Sequence, residues 1–422
     1  GVFTVLALPL FWIAGRRFGG TRGGWLTLAV VAVSPFALRY GTETRMYALV
    51  MLLVLAGWLL LDDVLRRPTP LRLGGLVVVV ALLLWTHYWS MWLLGVVGIA
   101  LIVRLVHARR DGRDDDVRAA RDAIGAIVVG GLLFLPWIPN LLYQGAHTGT
   151  PWARPLRPTE MLTYTLADLG GGGQAESVVL GWFVALLMAT GLTGRGLGGA
   201  RIDVDLATRP KGRPFAIAIA GTLAIGCVVG YATGATYASR YAAVFIPFAF
   251  LLAALGLAQL SRLPLMIALV LLLGLGAVSG YRNVTVDRSD ARRSAEAIEA
   301  RADDDALVVY CPDQLGPSTS RLLEGRYDQV TYPRFESPEL VDWSDYKDRL
   351  DDVTVDDFAT DLLERAGDRQ IFLVYSTEYI THEDICPALF NAIGAKRAPE
   401  VLTTTTEAWE PSAVALFPAP AS

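Results

Sequence analysis

Glu43 and Arg45 stand two residues apart in SPFALRYGTETRMYALVMLL (34–53), with Arg39 and Tyr40 just before them and Tyr47 just after. A carboxylate of this kind can take a proton from a hydroxyl or help hold a cation. A guanidinium offers a planar fork of donors that suits a carboxylate or a phosphate. Two further stretches carry similar groups. His87 and Tyr88 sit in LLLWTHYWSMWLL with Trp85, Trp89 and Trp92 around them, and Arg240 and Tyr241 open SRYAAVFIPFAFLLAAL with Tyr237 one turn earlier. Aromatic faces beside hydrogen-bonding groups are suited to a sugar. Taken singly, each stretch also has a plain explanation: a capped turn with a Glu–Arg pair, an interfacial aromatic belt, or snorkelling arginines.

The surroundings of these residues are strongly apolar. The 422 residues are 53% hydrophobic with a mean hydropathy of +0.42, which fits a multi-span membrane protein. Spanning a bilayer takes roughly 20 apolar residues. Ten spans are read: 1–14, 23–38, 46–61, 73–86, 89–106, 123–143, 177–193, 214–233, 241–260 and 263–280. The loops alternate in charge. The set 15–22, 62–72, 104–121, 194–213 and 261–262 holds 18 Lys and Arg, while 39–45, 87–88, 144–176 and 234–240 hold 5. The positive-inside rule makes the first set cytoplasmic. Arg39, Glu43, Arg45, His87, Tyr88 and Arg240 then share the outer mouth, where charges escape the cost of ~2.5–3.5 kcal/mol at the bilayer centre. The long outer loop 144–176, with Trp152, Arg154 and Arg157 among prolines, reads as a structured re-entrant segment.

Residues 1–282 therefore form a polytopic membrane domain, and 283–422 a soluble extracytoplasmic domain. In the latter, a helix at 288–302, a β-rich apolar run in DALVVYCPDQLGP (305–317), strands near 328–332, 370–376 and about 412–417, and a helix near 354–366 indicate an α/β fold. Cys311 and Cys386 can pair there or remain buried thiols. The scarcity of lysine (Lys211, Lys347 and Lys396) beside abundant Ala, Gly, Val and Asp suits a GC-rich bacterial genome. A net charge of −4 gives no reason to expect a nucleic-acid partner.

SPFALRYGTETRMYAL, WTHYWSMWLL and SRYAAVFIPFAFLLAAL, in this order and on one side, resemble the membrane glycosyltransferases of the GT-C superfamily. The nearest resemblance is to the bacterial branch related to protein mannosyltransferases and to the enzyme that adds aminoarabinose to lipid A. It covers roughly residues 1–280. It implies a bacterial plasma-membrane enzyme that moves a sugar, with inversion, from a polyprenyl-phosphate or diphosphate carrier to a glycan, lipid or protein acceptor outside the cell. It further implies that Glu43 is a second acidic position that positions the acceptor, the main acid or, in some members, a divalent metal. Arg45 and Arg240 match positions for the donor phosphate, and Arg39, Tyr47, His87, Tyr88 and Tyr241 match substrate-binding positions. The main catalytic acid of that family lies in the first outer loop, expected upstream of Gly1. The rival readings are a transporter of lipid-linked glycans and a non-catalytic scaffold whose outer domain binds a partner.

Overall fold

The computed structural model describes residues 1–148, 155–198, 201–323, 325–377, 379 and 384–420. Trp152 and Arg154 lie outside the described residues. The chain divides into two compact units, one of residues 1–139 and 155–285 and the other of 140–154 and 286–422.

The first unit is helical. Seven described helices are long and apolar enough to cross a membrane: Val2–Ala32, Tyr47–Arg66, Ser90–Arg110, Asp114–His147, Ala175–Thr193, Arg213–Thr233 and Arg262–Thr285. The ten apolar stretches read as spans map onto the described helices with two local differences. First, 1–14 and 23–38 fall on one helical stretch that folds back at Gly20, whose φ of +66° interrupts the helix. Glycine reaches that conformation without a Cβ penalty. The halves then pack so closely that a Cβ on Gly15 would strike Thr27 and the Gly23 carbonyl. Second, 73–86 and 241–260 correspond to the shorter helices Pro70–Thr86 and Ile246–Leu257. The latter starts five residues late because Ser239–Val244 is a 3₁₀ turn and Pro247 sits in the first helical turn.

Ile246–Leu257 is buried at every position and is the centre of the unit's core. It packs against Val2–Ala32, Ala175–Thr193 and Arg213–Thr233. Small residues permit these approaches, as is usual for helices packed in lipid. A Cβ on Gly191 would fall on the Leu252 carbonyl oxygen, and one on Gly256 on that of Leu187. A further helix, Pro158–Gly170, occupies the expected re-entrant loop. Its start carries Pro158 and a Glu160 carboxylate bonded to the Arg157 amide at 2.8 Å, and it ends on left-handed Gly171.

The hairpin β1 (Gly194–Gly198) and β2 (Arg201–Val204) joins two helices of this unit. The second unit holds the other strands: β3 (Leu307–Cys311), β4 (Asp328–Thr331), β5 (Ile371–Tyr375), β6 (Glu400–Thr403) and β7 (Ala413–Phe417). Their order is β4-β3-β5-β7-β6, with β3 parallel to β4 and β5, and with β7 antiparallel to β5 and β6. The near-continuous apolar β3 (LVVYC) and β5 (IFLVY) are buried on both faces, as parallel strands covered by helices should be. Ala291–Glu299 and Gly316–Ser320 lie on one face; Val355–Ala366 and Ile385–Gly394 lie on the other. Cys311 at the end of β3 is disulfide-bonded to Cys386. In the same unit His147 Nδ1 meets Asp345 Oδ1 at 2.8 Å, and Tyr143 stacks on the His147 ring.

Candidate functional site

The charged stretch at 34–53 folds as a short helix, a turn and a long helix. Ser34 caps Pro35–Thr42 by accepting the Ala37 N–H at 3.3 Å, with Pro35 preset for the first turn. The helix ends where Glu43 turns extended, its N–H still donating to Arg39 O at 3.1 Å. A tight turn follows, with the Arg45 N–H on Glu43 O at 2.8 Å, and Tyr47 opens the next helix. Arg45 Nε lies 3.3 Å from Glu43 Oε1; the Arg45 side chain is 52% exposed and that of Glu43 19%. Arg39 lies a turn before Glu43 on the same helix and turns inward, its side chain 14% exposed.

Arg39 and Tyr40 meet Asp168, a residue the sequence does not single out. Arg39 Nη1 lies 3.3 Å from Asp168 Oδ1, and the Tyr40 hydroxyl donates to Oδ2 at 2.8 Å. Ser239 also hydrogen-bonds this carboxylate. Asp168 is 5% exposed and belongs to Pro158–Gly170. That helix is held against Ala175–Thr193 by backbone-to-backbone packing: a Cβ on Gly181 would land on the Leu166 carbonyl oxygen, and one on Gly170 on that of Ser177. Burial pushes the Asp168 carboxyl up from its ordinary range, while Arg39 and the Tyr40 hydroxyl pull the other way. A buried charge of this kind persists when paired and hydrogen-bonded.

A chain of rings continues from Tyr40. Its ring centroid lies 5.1 Å from Tyr47, Tyr47 lies 5.8 Å from His87, and His87 lies 5.4 Å from Tyr241. Trp89 packs on Tyr241 at 5.5 Å and on Tyr237 at 5.1 Å, and the Tyr237 hydroxyl meets Thr165 Oγ1 at 2.6 Å. Arg240 hydrogen-bonds Tyr47 and its guanidinium lies 5.5 Å from the Tyr241 ring centroid. His87 is 7% exposed, and its Nδ1 accepts the Trp89 N–H at 3.2 Å, which leaves the proton of the neutral ring on Nε2. Burial and the nearby Arg240 push His87 down to about 4, so the ring is neutral near pH 7.

Of the residues expected from sequence, Arg39, Glu43, Arg45, Tyr47, His87, Arg240 and Tyr241 thus belong to one neighbourhood. Tyr88 turns elsewhere: its hydroxyl accepts Trp137 Nε1–H at 2.9 Å. Three guanidiniums stand beside two carboxylates, with His87 neutral, which favours an anionic ligand. Among the described residues no three His, Cys, Asp or Glu side chains are grouped to hold a metal. An apolar crevice elsewhere in this unit is lined by Val54, Trp58, Leu76, Leu83, Leu93 and Phe248 and has no ionisable side chain. It lacks the groups needed for proton or charge chemistry.

Asp168, Ser239, Thr165 and Tyr237 are the additions made by the fold. The one sequence signal for Asp168 is an acid ending a short helix in TLADLGGGG. No family model matches the chain, and no curated protein matches it.

Proposed function

We propose that this chain is an inverting membrane glycosyltransferase of the GT-C kind, in a bacterial plasma membrane with residues 286–422 outside the cell. It moves a sugar from a polyprenyl-phosphate-linked donor to a hydroxyl of a glycan, lipid or protein. The observation that carries this reading is the buried network Arg39–Asp168–Tyr40, continuous through Tyr47 with His87, Tyr241 and Arg240. It sets fixed cations for the leaving phosphate beside Glu43, a carboxylate suited to hold the acceptor hydroxyl.

In this reading Glu43, at the edge of the network, is the second acidic position and holds the acceptor hydroxyl, whose proton passes to the main catalytic carboxylate of the first outer loop as its oxygen bonds to the anomeric carbon. The bond from that carbon to the phosphate oxygen breaks, and the electron pair leaves on the polyprenyl phosphate. Arg240 and Arg45 stabilise that anion, which needs no proton to depart. Asp168, with both oxygens engaged, is a positioning residue that fixes Arg39 and Tyr40. His87 Nε2–H and the tyrosines offer hydrogen bonds to sugar hydroxyls, and the rings stack on apolar sugar faces. A divalent cation, where one is used, would have Glu43 as its carboxylate.

Membranes from cells expressing the full-length protein are assayed for sugar transfer from undecaprenyl-phosphate-linked hexoses and pentoses. Glu43→Gln is expected to lower kcat, by no more than the roughly 10²–10⁴-fold that a positioned acid–base group contributes. Arg240→Ala is expected chiefly to raise the KM for donor. Turnover unchanged in both variants, or no transfer from any carrier-linked sugar, defeats the proposal.

A further inference from the structure

The basic loops 15–22, 194–213 and 261–262 have no role in the reaction above, yet the first unit packs them against one another. The Lys211 ammonium donates to Phe18 O at 3.0 Å, and Arg22 Nη2 donates to Leu260 O at 2.9 Å. The Arg209 N–H donates to Leu192 O at 2.7 Å, and a Cβ on Gly196 would fall on the Gln259 carbonyl oxygen. The fold-back at Gly20, the β1–β2 hairpin, the segment entering Arg213–Thr233 and the start of Arg262–Thr285 therefore share one corner. Each lies within or next to a helix long and apolar enough to cross a membrane.

Six exposed cations meet at this corner: Arg22, Arg195, Arg201, Lys211, Arg213 and Arg262. The partners of Arg22, Lys211 and Arg213 are neutral oxygens, namely main-chain carbonyls and, for Arg213, also the Thr208 hydroxyl. The side chains of Arg195, Arg201 and Arg262 make no hydrogen bond or ion pair among the described residues. The described carboxylates of these segments are Asp203, opposite Arg195 in the hairpin register, and Asp205, whose Oδ1 accepts the Ala207 N–H at 2.8 Å. The acids Asp62 and Asp63 are engaged by Arg17 and Arg66. Positive charge is therefore in excess. Apolar side chains stand among the cations: Leu197, Val204 and Leu263 are exposed, and Leu206 is 85% exposed. Single exposed apolar residues are ordinary on a protein surface. Three on one short hairpin and its exit, beside unpaired cations at the ends of apolar helices, fit contact with lipid.

We infer that this corner is a docking surface for anionic phospholipid headgroups, with the β1–β2 hairpin lying in the membrane interface. The guanidiniums of Arg195, Arg201 and Arg262 meet the lipid phosphates, to which their planar donor forks are suited. Leu197 and Leu206 enter the boundary with the acyl chains. Cations beside an anionic leaflet add their attractions, so several together select charged lipid over neutral lipid. A nucleic acid or an acidic protein would match the charge but leave the leucines in water. The inference rests on the reading of the helices as membrane spans and not on the transfer reaction. Lipid selectivity without any sugar transfer would leave it standing.

The test uses the full chain in a nonionic detergent. Native mass spectrometry follows titrations with dioleoyl phosphatidylglycerol and dioleoyl phosphatidylcholine, which share their acyl chains. Phosphatidylglycerol is expected to bind at least about tenfold more tightly. Arg195→Gln, Arg201→Gln and Arg262→Gln combined should weaken its binding at least about tenfold, each cation beside an anionic leaflet being worth about fivefold. Arg67→Gln, Arg109→Gln and Arg110→Gln combined remove the same charge from other helix ends and should change binding by less than about twofold. All six arginines are exposed, and circular dichroism verifies that both variants fold. In phosphatidylglycerol nanodiscs, an environment-sensitive dye on Leu206→Cys, with Cys227→Ala, should emit as in an apolar medium and be quenched by lipid carrying a doxyl group near its headgroup. The inference is overturned if the two lipids bind equally, if the Arg195, Arg201 and Arg262 variant binds like the wild type, if both triple variants lose binding alike, or if the dye reports water.

Discussion

Replacing Asp168 by alanine removes two interactions at once. One is the ion pair with Arg39 at 3.3 Å, between side chains 14% and 7% exposed. The other is the Tyr40 hydroxyl bond at 2.8 Å. At an effective dielectric of about 20, two unit charges at that distance attract by about 5 kcal/mol before desolvation is counted. Breaking one side of a buried pair typically costs about 3–5 kcal/mol, because the remaining charge stays buried. Losing the hydroxyl bond adds about 1 kcal/mol. Arg39 retains some exposure and can relax toward it, so Asp168→Ala should destabilise the chain by about 3 kcal/mol. The assay is reversible SDS unfolding in mixed micelles, run as a cycle with Arg39→Met and the double variant. If the pair is as described, the double variant recovers part of the loss, with a coupling above about 1 kcal/mol. Costs that add to within about 0.5 kcal/mol would show that the two groups are independent, and the network would lose its basis.

Burial pushes Asp313 up to about 6, so its folded form binds a proton more readily than its unfolded form. The stability this confers is fully present below the unfolded value near 4 and disappears as pH rises through about 6. Chemical denaturation of the second unit should therefore show stability rising by about 2–3 kcal/mol from pH 7 to pH 4 through this group, and Asp313→Asn should flatten that part of the profile. The Cys311–Cys386 bond closes a sequence separation of 75 residues, worth about 4 kcal/mol by chain entropy. Dithiothreitol should lower the unfolding midpoint of the second unit and free two more thiols; an unchanged midpoint counts against that value. Gly181→Leu forces a side chain onto the Leu166 carbonyl. It should cost at least about 1–3 kcal/mol in the SDS assay, as overpacking does, whereas Gly172→Ala, with no neighbour within 4 Å of its Cβ, tests only backbone strain.

The first unit's helices were legible because hydropathy is a local property, and apolar windows such as 47–66 and 213–233 announce themselves. Their breaks and ends were less legible. A glycine fold-back at Gly20 and a 3₁₀ turn before Pro247 are matters of backbone geometry within otherwise apolar sequence. The strands β3 and β5 of the second unit were legible from the apolar runs around 305–311 and 370–376. The weaker strand β6, half of it exposed, carries no such run and went unread. For the site, Arg39, Glu43 and Arg45 drew attention as charges between apolar stretches. Asp168 did not, because its nearest charged partner is 129 residues away in sequence.

Sequence alone thus determined which segments are apolar, which residues at their ends are charged or aromatic, and that an α/β segment follows. All three rest on side-chain type and short-range periodicity. Tertiary structure alone decided that Asp168 faces Arg39 and Tyr40, that His87 sits between Tyr47 and Tyr241, and that Cys311 pairs with Cys386. Those pairings come from helices and strands far apart in the chain, brought together by close packing at glycines such as Gly181 and Gly191 and by the crossing order of the sheet. A charge written in the sequence has a chemical type, but its role follows from the partner and the burial that folding assigns to it.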